Sequence, residues 1–147
     1  MRMTRTLASG GLLLASLAGT AAIATPAHAA ATPAYTACHD GVDPNGFNPA
    51  DNTTPNQTVL FGRIIQLRYN TNHCVWGRIQ AGAPGDHIWV DRSLNGGVTW
   101  QSKRASATIG SGTEAITFAL YDAGAMVVSR ACGQAGNRID VACTGWY

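Results

Sequence analysis

The stretch Ile65-Gln66-Leu67-Arg68-Tyr69-Asn70-Thr71-Asn72-His73-Cys74-Val75-Trp76-Gly77-Arg78-Ile79 decides the fold class. Its first part puts Ile65, Leu67 and Tyr69 on one face and Gln66 and Arg68 on the other. From Cys74 the same period resumes, with Cys74, Trp76 and Arg78 opposing Val75, Gly77 and Ile79. Period-two alternation of this kind predicts half-buried strands.

The pattern extends in both directions. Upstream it reaches Val59, so Val59 to Tyr69 reads as one strand. Downstream, His87 to Arg92 sets Ile88 and Val90 against Trp89 and Asp91. Asn95-Gly96-Gly97 predicts a hairpin turn into Val98 to Arg104. Ala115 to Tyr121 and Ala125 to Ala131 read as a further pair around Asp122-Ala123-Gly124, and Arg138 to Cys143 as a last strand. About seven short strands without an amphipathic helix predict an all-β domain, a small disulfide-stapled β-sandwich or barrel, over residues 58–147. Residues 30–57, rich in Pro, Asn and Asp, read as an irregular N-terminal arm.

Residues 1–29 have the layout of a secretory signal peptide. Arg2 and Arg5 precede the apolar run Leu7 to Ile23, and Ala27-His28-Ala29 is a small-x-small cleavage signal. The expected location is therefore secreted and extracellular, where disulfides form. Removing these 29 residues from the 147 leaves 118, enough for one domain. It also removes Arg2 and Arg5 from the ten basic residues, leaving eight against eight acidic ones. That balance argues against a nucleic-acid partner, which calls for a basic excess. No second apolar run is long enough to span a bilayer, so no membrane association is expected of the mature form.

All four cysteines, Cys38, Cys74, Cys132 and Cys143, lie beyond the leader, and an even count in a short exported chain predicts two disulfides. Three pairings are possible. Cys38–Cys74 with Cys132–Cys143 is favoured, because Gln134-Ala135-Gly136-Asn137 offers a turn that returns the last cysteine to its neighbour. No C-x-x-C occurs, and His39 and His73 sit directly beside cysteines rather than at ligand spacing, so no metal is expected. The stretch Asp40 to Asp51 lacks the D-x-D-x-D-G calcium pattern.

Catalytic motifs are equally sparse. There is no G-x-S-x-G elbow, and His39, His73 and His87 have no recognisable serine companion. Glu114 is the only glutamate, and Asp40, Asp43, Asp51, Asp86 and Asp122 read as loop residues, so a glycosidase carboxylate pair is not indicated. No enzymatic activity and no cofactor are expected. Trp76, Trp89 and Trp100 are expected in the core, while Trp146 and Tyr147 are the best exposed aromatics, at a free end past Cys143.

The segment Leu67 to Arg78, with its L-R-Y, cysteine and W-x-R elements, resembles the YjfA-like family of small exported proteins of actinomycetes and bacilli, a domain of unknown function. Cys38-His39-Asp40-Gly41-Val42-Asp43-Pro44 is similar to that family's cysteine, glycine and proline segment, and Gly85 to Val90 is compatible with it. The likeness covers most of residues 38–92. Cys74 stands closer to Trp76 than in the family pattern, and Asn70 replaces the usual serine. The resemblance implies a fold and no catalytic residues.

A neutral, disulfide-stapled β-domain predicts a non-enzymatic protein–protein interaction module with a larger secreted protein as partner. The chain looks like the adaptor subunits that link components of secreted antibacterial toxin particles in actinomycetes. The expected partner-binding residues are the arm Ala30, Ala31, Thr32, Pro33, Ala34, Tyr35, Thr36 and Ala37, able to add as a strand to a sheet edge, together with Trp146 and Tyr147. The alternatives are a secreted inhibitor of a foreign hydrolase, presenting Asn95 to Val98 or Ser111 to Glu114, and a cell-wall or carbohydrate binder using exposed aromatics.

Overall fold

The computed structural model describes residues 34–147. The expected signal peptide and residues 30–33 of the arm lie outside the described residues. After 3₁₀ turns at Pro44–Gly46 and Pro49–Asp51 come nine strands: β1 Asn52–Leu60, β2 Arg63–Asn70, β3 Cys74–Gln80, β4 His87–Ser93, β5 Gln101–Thr108, β6 Ala115–Ile116, β7 Leu120–Tyr121, β8 Val128–Gln134 and β9 Val141–Cys143. They form two antiparallel sheets, β1-β2-β3 with β6 and β7 side by side on β3, and β5-β4-β8-β9. The protein is an all-β sandwich.

The alternation in the sequence explains how the sheets face each other. Ile65, Leu67, Val75 and Ile79 from the first sheet meet Ile88, Val90, Ala105 and Ala131 from the second, all buried. The sheets approach closely at Gly133, where an added Cβ would lie 2.6 Å from Ile65 Cδ1. Any larger residue there would force Ile65 out of its place.

The strand β3 is buried on both faces. Its outer face carries Cys74 and Trp76, covered by Val42, Phe47 and Ala119 in a second apolar cluster. The covering segment is fastened by the Cys38–Cys74 disulfide; the other disulfide joins Cys132 to Cys143. Both are the favoured pairings. Two disulfides fit an oxidising, extracellular-type compartment. No helix among the described residues is long and apolar enough to cross a membrane.

Strand boundaries in the first sheet differ from the sequence reading in two places, and β5 runs from Gln101 to Thr108 where Val98 to Arg104 was expected. Residues 52–57 are not irregular: they open β1, where Asn52 and Thr53 pair with Asn70 and Tyr69 before a bulge that passes Pro55. An edge strand tolerates proline because one row of its N–H groups has no ladder to serve. Val59 to Tyr69 is two strands, divided by a turn at Phe61-Gly62 in which both residues have positive φ.

The expected pairing of Ala115–Tyr121 with Ala125–Ala131 does not occur. Thr117 interrupts the first of these, its N–H bonding Gly77 O while its Oγ1 accepts the Gly77 N–H. Ala119 then bonds Val42 and Gly41, so only the flanking residues ladder against β3. The second segment instead pairs, as β8, with β4 and β9, which buries Ala131 between the sheets.

Candidate interaction surface

The outer face of the second sheet centres on Asp91 of β4, which is buried although its strand phase points it away from the core. Its partner strand β5 carries a bulge opposite it, with Lys103 in the left-handed region (φ 55°). The bulge turns the Ser102 hydroxyl and the Lys103 N–H onto Asp91 Oδ1, at 3.0 and 3.1 Å. From β8, Arg130 Nε donates to Asp91 Oδ2 at 3.0 Å, and a terminal nitrogen of the same guanidinium is ion-paired with that oxygen at 3.0 Å. A buried carboxylate with this many donors is satisfied, and it fixes whatever it binds.

What it fixes is the guanidinium of Arg130. That group lies 4.8 Å from the Trp100 ring centre and 4.6 Å from that of Trp146, and the two indoles are 5.9 Å apart. Arg130 therefore lies against both indoles, which also contact each other, while its charge is anchored by Asp91. Lys103 adds a second cation–aromatic contact, 4.7 Å from Trp89.

The loop before β5 completes the surface. Ser93 Oγ accepts the N–H groups of Asn95 and Gly97, and Asn95 Oδ1 accepts that of Thr99. These bonds hold the loop without help from a core. Gly97, at φ 90°, lets it pass over Trp146: an added Cβ would meet the indole Nε1 at 3.2 Å. Gly96 N–H bonds Met126 O on the neighbouring loop. Around the Trp–Arg–Trp stack, Leu94, Val98 and Met126 are exposed, Val98 to 76 %.

Several expectations need correction here. Trp76 and Trp89 are buried, each on the outer face of its sheet, but Trp100 is 49 % exposed. The bulge at Lys103 interrupts the alternation of Ala105 and Ala107, so no strand phase carries back to Trp100, and residue type alone misplaced it. Residues 144–147 are not a free end. Thr144 N–H bonds Ala131 O, and Tyr147 and Ser129 exchange both backbone bonds. Trp146 is consequently half-buried, while Tyr147 stays exposed with its ring edge-on to Tyr69 at 5.4 Å.

Of the arm residues, Ala34, Tyr35, Thr36 and Ala37 are exposed, but Thr36 N–H is already bonded to Gly46 O. They lie apart from the Trp–Arg–Trp stack in sequence and share no described contact with it. Asp86, read as a loop residue, is buried and accepts from Arg63 and from the N–H groups of Ala83 and Gly136. Burial raises its carboxyl, but these bonds and the Arg63 charge outweigh that and hold it below the usual range.

Cys132, Cys143 and Asp91 bring three ligand-type atoms within 4.8 Å of one another, yet the sulfurs are joined and the carboxylate is engaged. Among the described residues, the nearest nucleophile–base geometry is His87 Nδ1 with Thr108 Oγ1 at 2.8 Å, and no carboxylate is bonded to that imidazole.

Asp122 is the one carboxyl pushed strongly the other way, to about 6. Burial is the main cause, opposed by Ser129 and the Arg92 charge. Its folded pKa is above the ordinary 3.8, so the fold favours the protonated form. The resulting penalty is absent below about pH 4, grows as pH rises, and is full above about pH 6. Asp122→Asn is expected to raise stability by about 1–2 kcal/mol at pH 8, after allowance for solvent screening of a part-exposed group, and to change little at pH 4. Urea unfolding at the two pH values checks this.

No protein-family model matches the chain, and no curated protein or solved structure matches it either.

Proposed function

We propose that the protein is an exported, non-enzymatic interaction module whose Trp100–Arg130–Trp146 face docks onto a larger secreted protein, in the manner of an adaptor joining components of an extracellular complex. The observation that carries this reading is the anchoring of Arg130. A guanidinium held against two touching indoles and pinned by a buried carboxylate is rigid before any partner arrives, so little ordering entropy opposes binding. Trp, Tyr and Arg are also the residue types that dominate binding hot spots. The exposed Leu94, Val98 and Met126 extend the same face with apolar area the fold does not need. The signal-like first 29 residues support export, and the two disulfides are compatible with it.

Affinity purification of the tagged protein from its native culture supernatant tests the reading. A stoichiometric larger protein is the expected result. Inhibition in a panel of foreign proteases, or sedimentation with peptidoglycan, would move the reading to the inhibitor or the glycan binder. Trp100→Ala is expected to weaken binding to the purified partner about 30-fold, a hot-spot loss of about 2 kcal/mol. Its unfolding midpoint should shift little, because Trp100 is half exposed and outside the inter-sheet core. Isothermal titration and urea unfolding provide the two readouts.

A further inference from the structure

The outer face of the first sheet carries a pocket of about 260 Å³ at the other side of the sandwich from Trp100. Arg68 of β2 and Arg78 of β3 both line it. Register pairs Arg68 with Trp76 and Gln66 with Arg78, so the two arginines are diagonal neighbours, about 7–8 Å apart at the backbone. Like charges at that spacing repel, and each would lower the other's tendency to stay charged. Burial, then the Arg78 charge, indeed lowers Arg68 below the ordinary guanidinium value, with Glu114 opposing.

The pocket does not balance its own charge. Glu114 is its only carboxylate, and it is committed to Arg78 at 2.6 Å and to the Gln80 amide at 3.2 Å. Among the described residues, Arg68 has a single side-chain partner, the neutral Thr54 hydroxyl at 2.7 Å, and no ion pair. Arg78 Nε is buried and donates to nothing among the described residues. A chain folded only for stability would pair a buried donor or leave it in water. Two guanidiniums, one with an orphaned N–H, over one engaged carboxylate make a site with donors to spare.

We propose that this pocket binds a small oxyanionic group, a carboxylate, phosphate or sulfate. Arg68 presents its planar fork to the group, and the Arg78 guanidinium beside it adds positive charge to the pocket. Asn45 and Asn52 at the pocket wall offer amides to the oxygen atoms or to polar groups beside them, while Pro44 and Ile116 provide an apolar side for the skeleton that carries the anion. Trp76 and Phe47 support the floor from beneath and are too buried to stack on a ligand. This site is independent of the Trp100 face, on the other sheet, and stands or falls without it.

The test is a nuclear magnetic resonance titration that follows the Nε–Hε signals of Arg68 and Arg78. Sodium phosphate, sulfate and acetate are added separately, with sodium chloride holding ionic strength constant. Saturable shifts at both arginines with at least one of the three anions are expected. Acetate alone would identify a carboxylate site, and phosphate or sulfate a tetrahedral one. Arg68→Gln should weaken that saturation at least tenfold, and Arg68→Lys, which keeps the charge and loses the fork, should fall between. Backbone amide signals of the inter-sheet core should be unchanged in both variants. Linear shifts equal to those from chloride, or saturation undiminished in Arg68→Gln and Arg68→Lys, would overturn the proposal.

Discussion

Replacing Cys38 and Cys74 together by alanine is expected to lower the unfolding free energy by about 4 kcal/mol, in the chain-entropy account of a cross-link closing a loop of this length. The separation is 36 residues, against 11 for Cys132–Cys143, so the second pair should cost about 3 kcal/mol on the same reasoning. Packing points the same way. The first bridge holds the segment that covers the outer face of β3, where Val42 and Phe47 close over Trp76. Releasing it frees that cover and hydrates a tryptophan that is 4 % exposed in the native fold. Urea unfolding followed by tryptophan emission checks both effects: the midpoint falls, and the native emission moves to the red. A loss below about 1 kcal/mol, with unchanged emission, would mean the covering segment holds without its staple.

The second large effect is at Asp91. Asp91→Ala leaves Arg130 without its counter-charge and removes the acceptor for the Ser102 hydroxyl and the Lys103 N–H. Removing one member of a buried pair typically costs about 3–5 kcal/mol. The Arg130 side chain is 22 % exposed and stacked on two indoles, so the lower end, about 3 kcal/mol, is expected. For a domain of this size that is a fall of roughly 12 °C in Tm. Near-ultraviolet circular dichroism should lose much of the Trp100–Trp146 signal, since the arginine that both rings lie against is no longer held. Asp91→Asn keeps the shape and one acceptor, and should cost about half as much. An Asp91→Ala protein with native Tm and an unchanged aromatic spectrum would show that the stack is held by something else.

Much of the fold is legible in the sequence because alternation is local. Ile65, Leu67, Ile88 and Val90 declare their faces within a few residues, and both sheets follow from those faces. The two disulfides are legible as well, because the turn at residues 134–137 leaves Cys132 opposite Cys143.

What the sequence conceals is contact between distant segments. Thr117 serves as a ladder partner through its hydroxyl, which no periodicity reveals, and so the 115–121 segment joins β3 rather than β8. Asp91 is likewise silent. It alternates as an ordinary polar strand residue, and only the β5 bulge and Arg130, 39 positions away, turn it into an anchor. Trp146, expected as an exposed aromatic at a free end, is half-buried in company the sequence does not reveal: Trp100, Arg130 and Gly97 reach it through the register of β4, β5 and β8. The pocket between Arg68 and Arg78 hides for a similar reason. Each arginine lies on the polar face of its strand, and only pairing of the strands makes them diagonal neighbours.

The most direct test of the interaction surface is a side-by-side affinity capture from native culture supernatant, with the wild-type protein and Trp100→Ala as baits at equal load. The wild type should retain a larger secreted protein at equal stoichiometry, and Trp100→Ala, folded to the same midpoint, should lose it. Equal recovery of that protein by both baits would contradict the assignment of the Trp100–Arg130–Trp146 face. Recovery of no partner by either would contradict the interaction module itself.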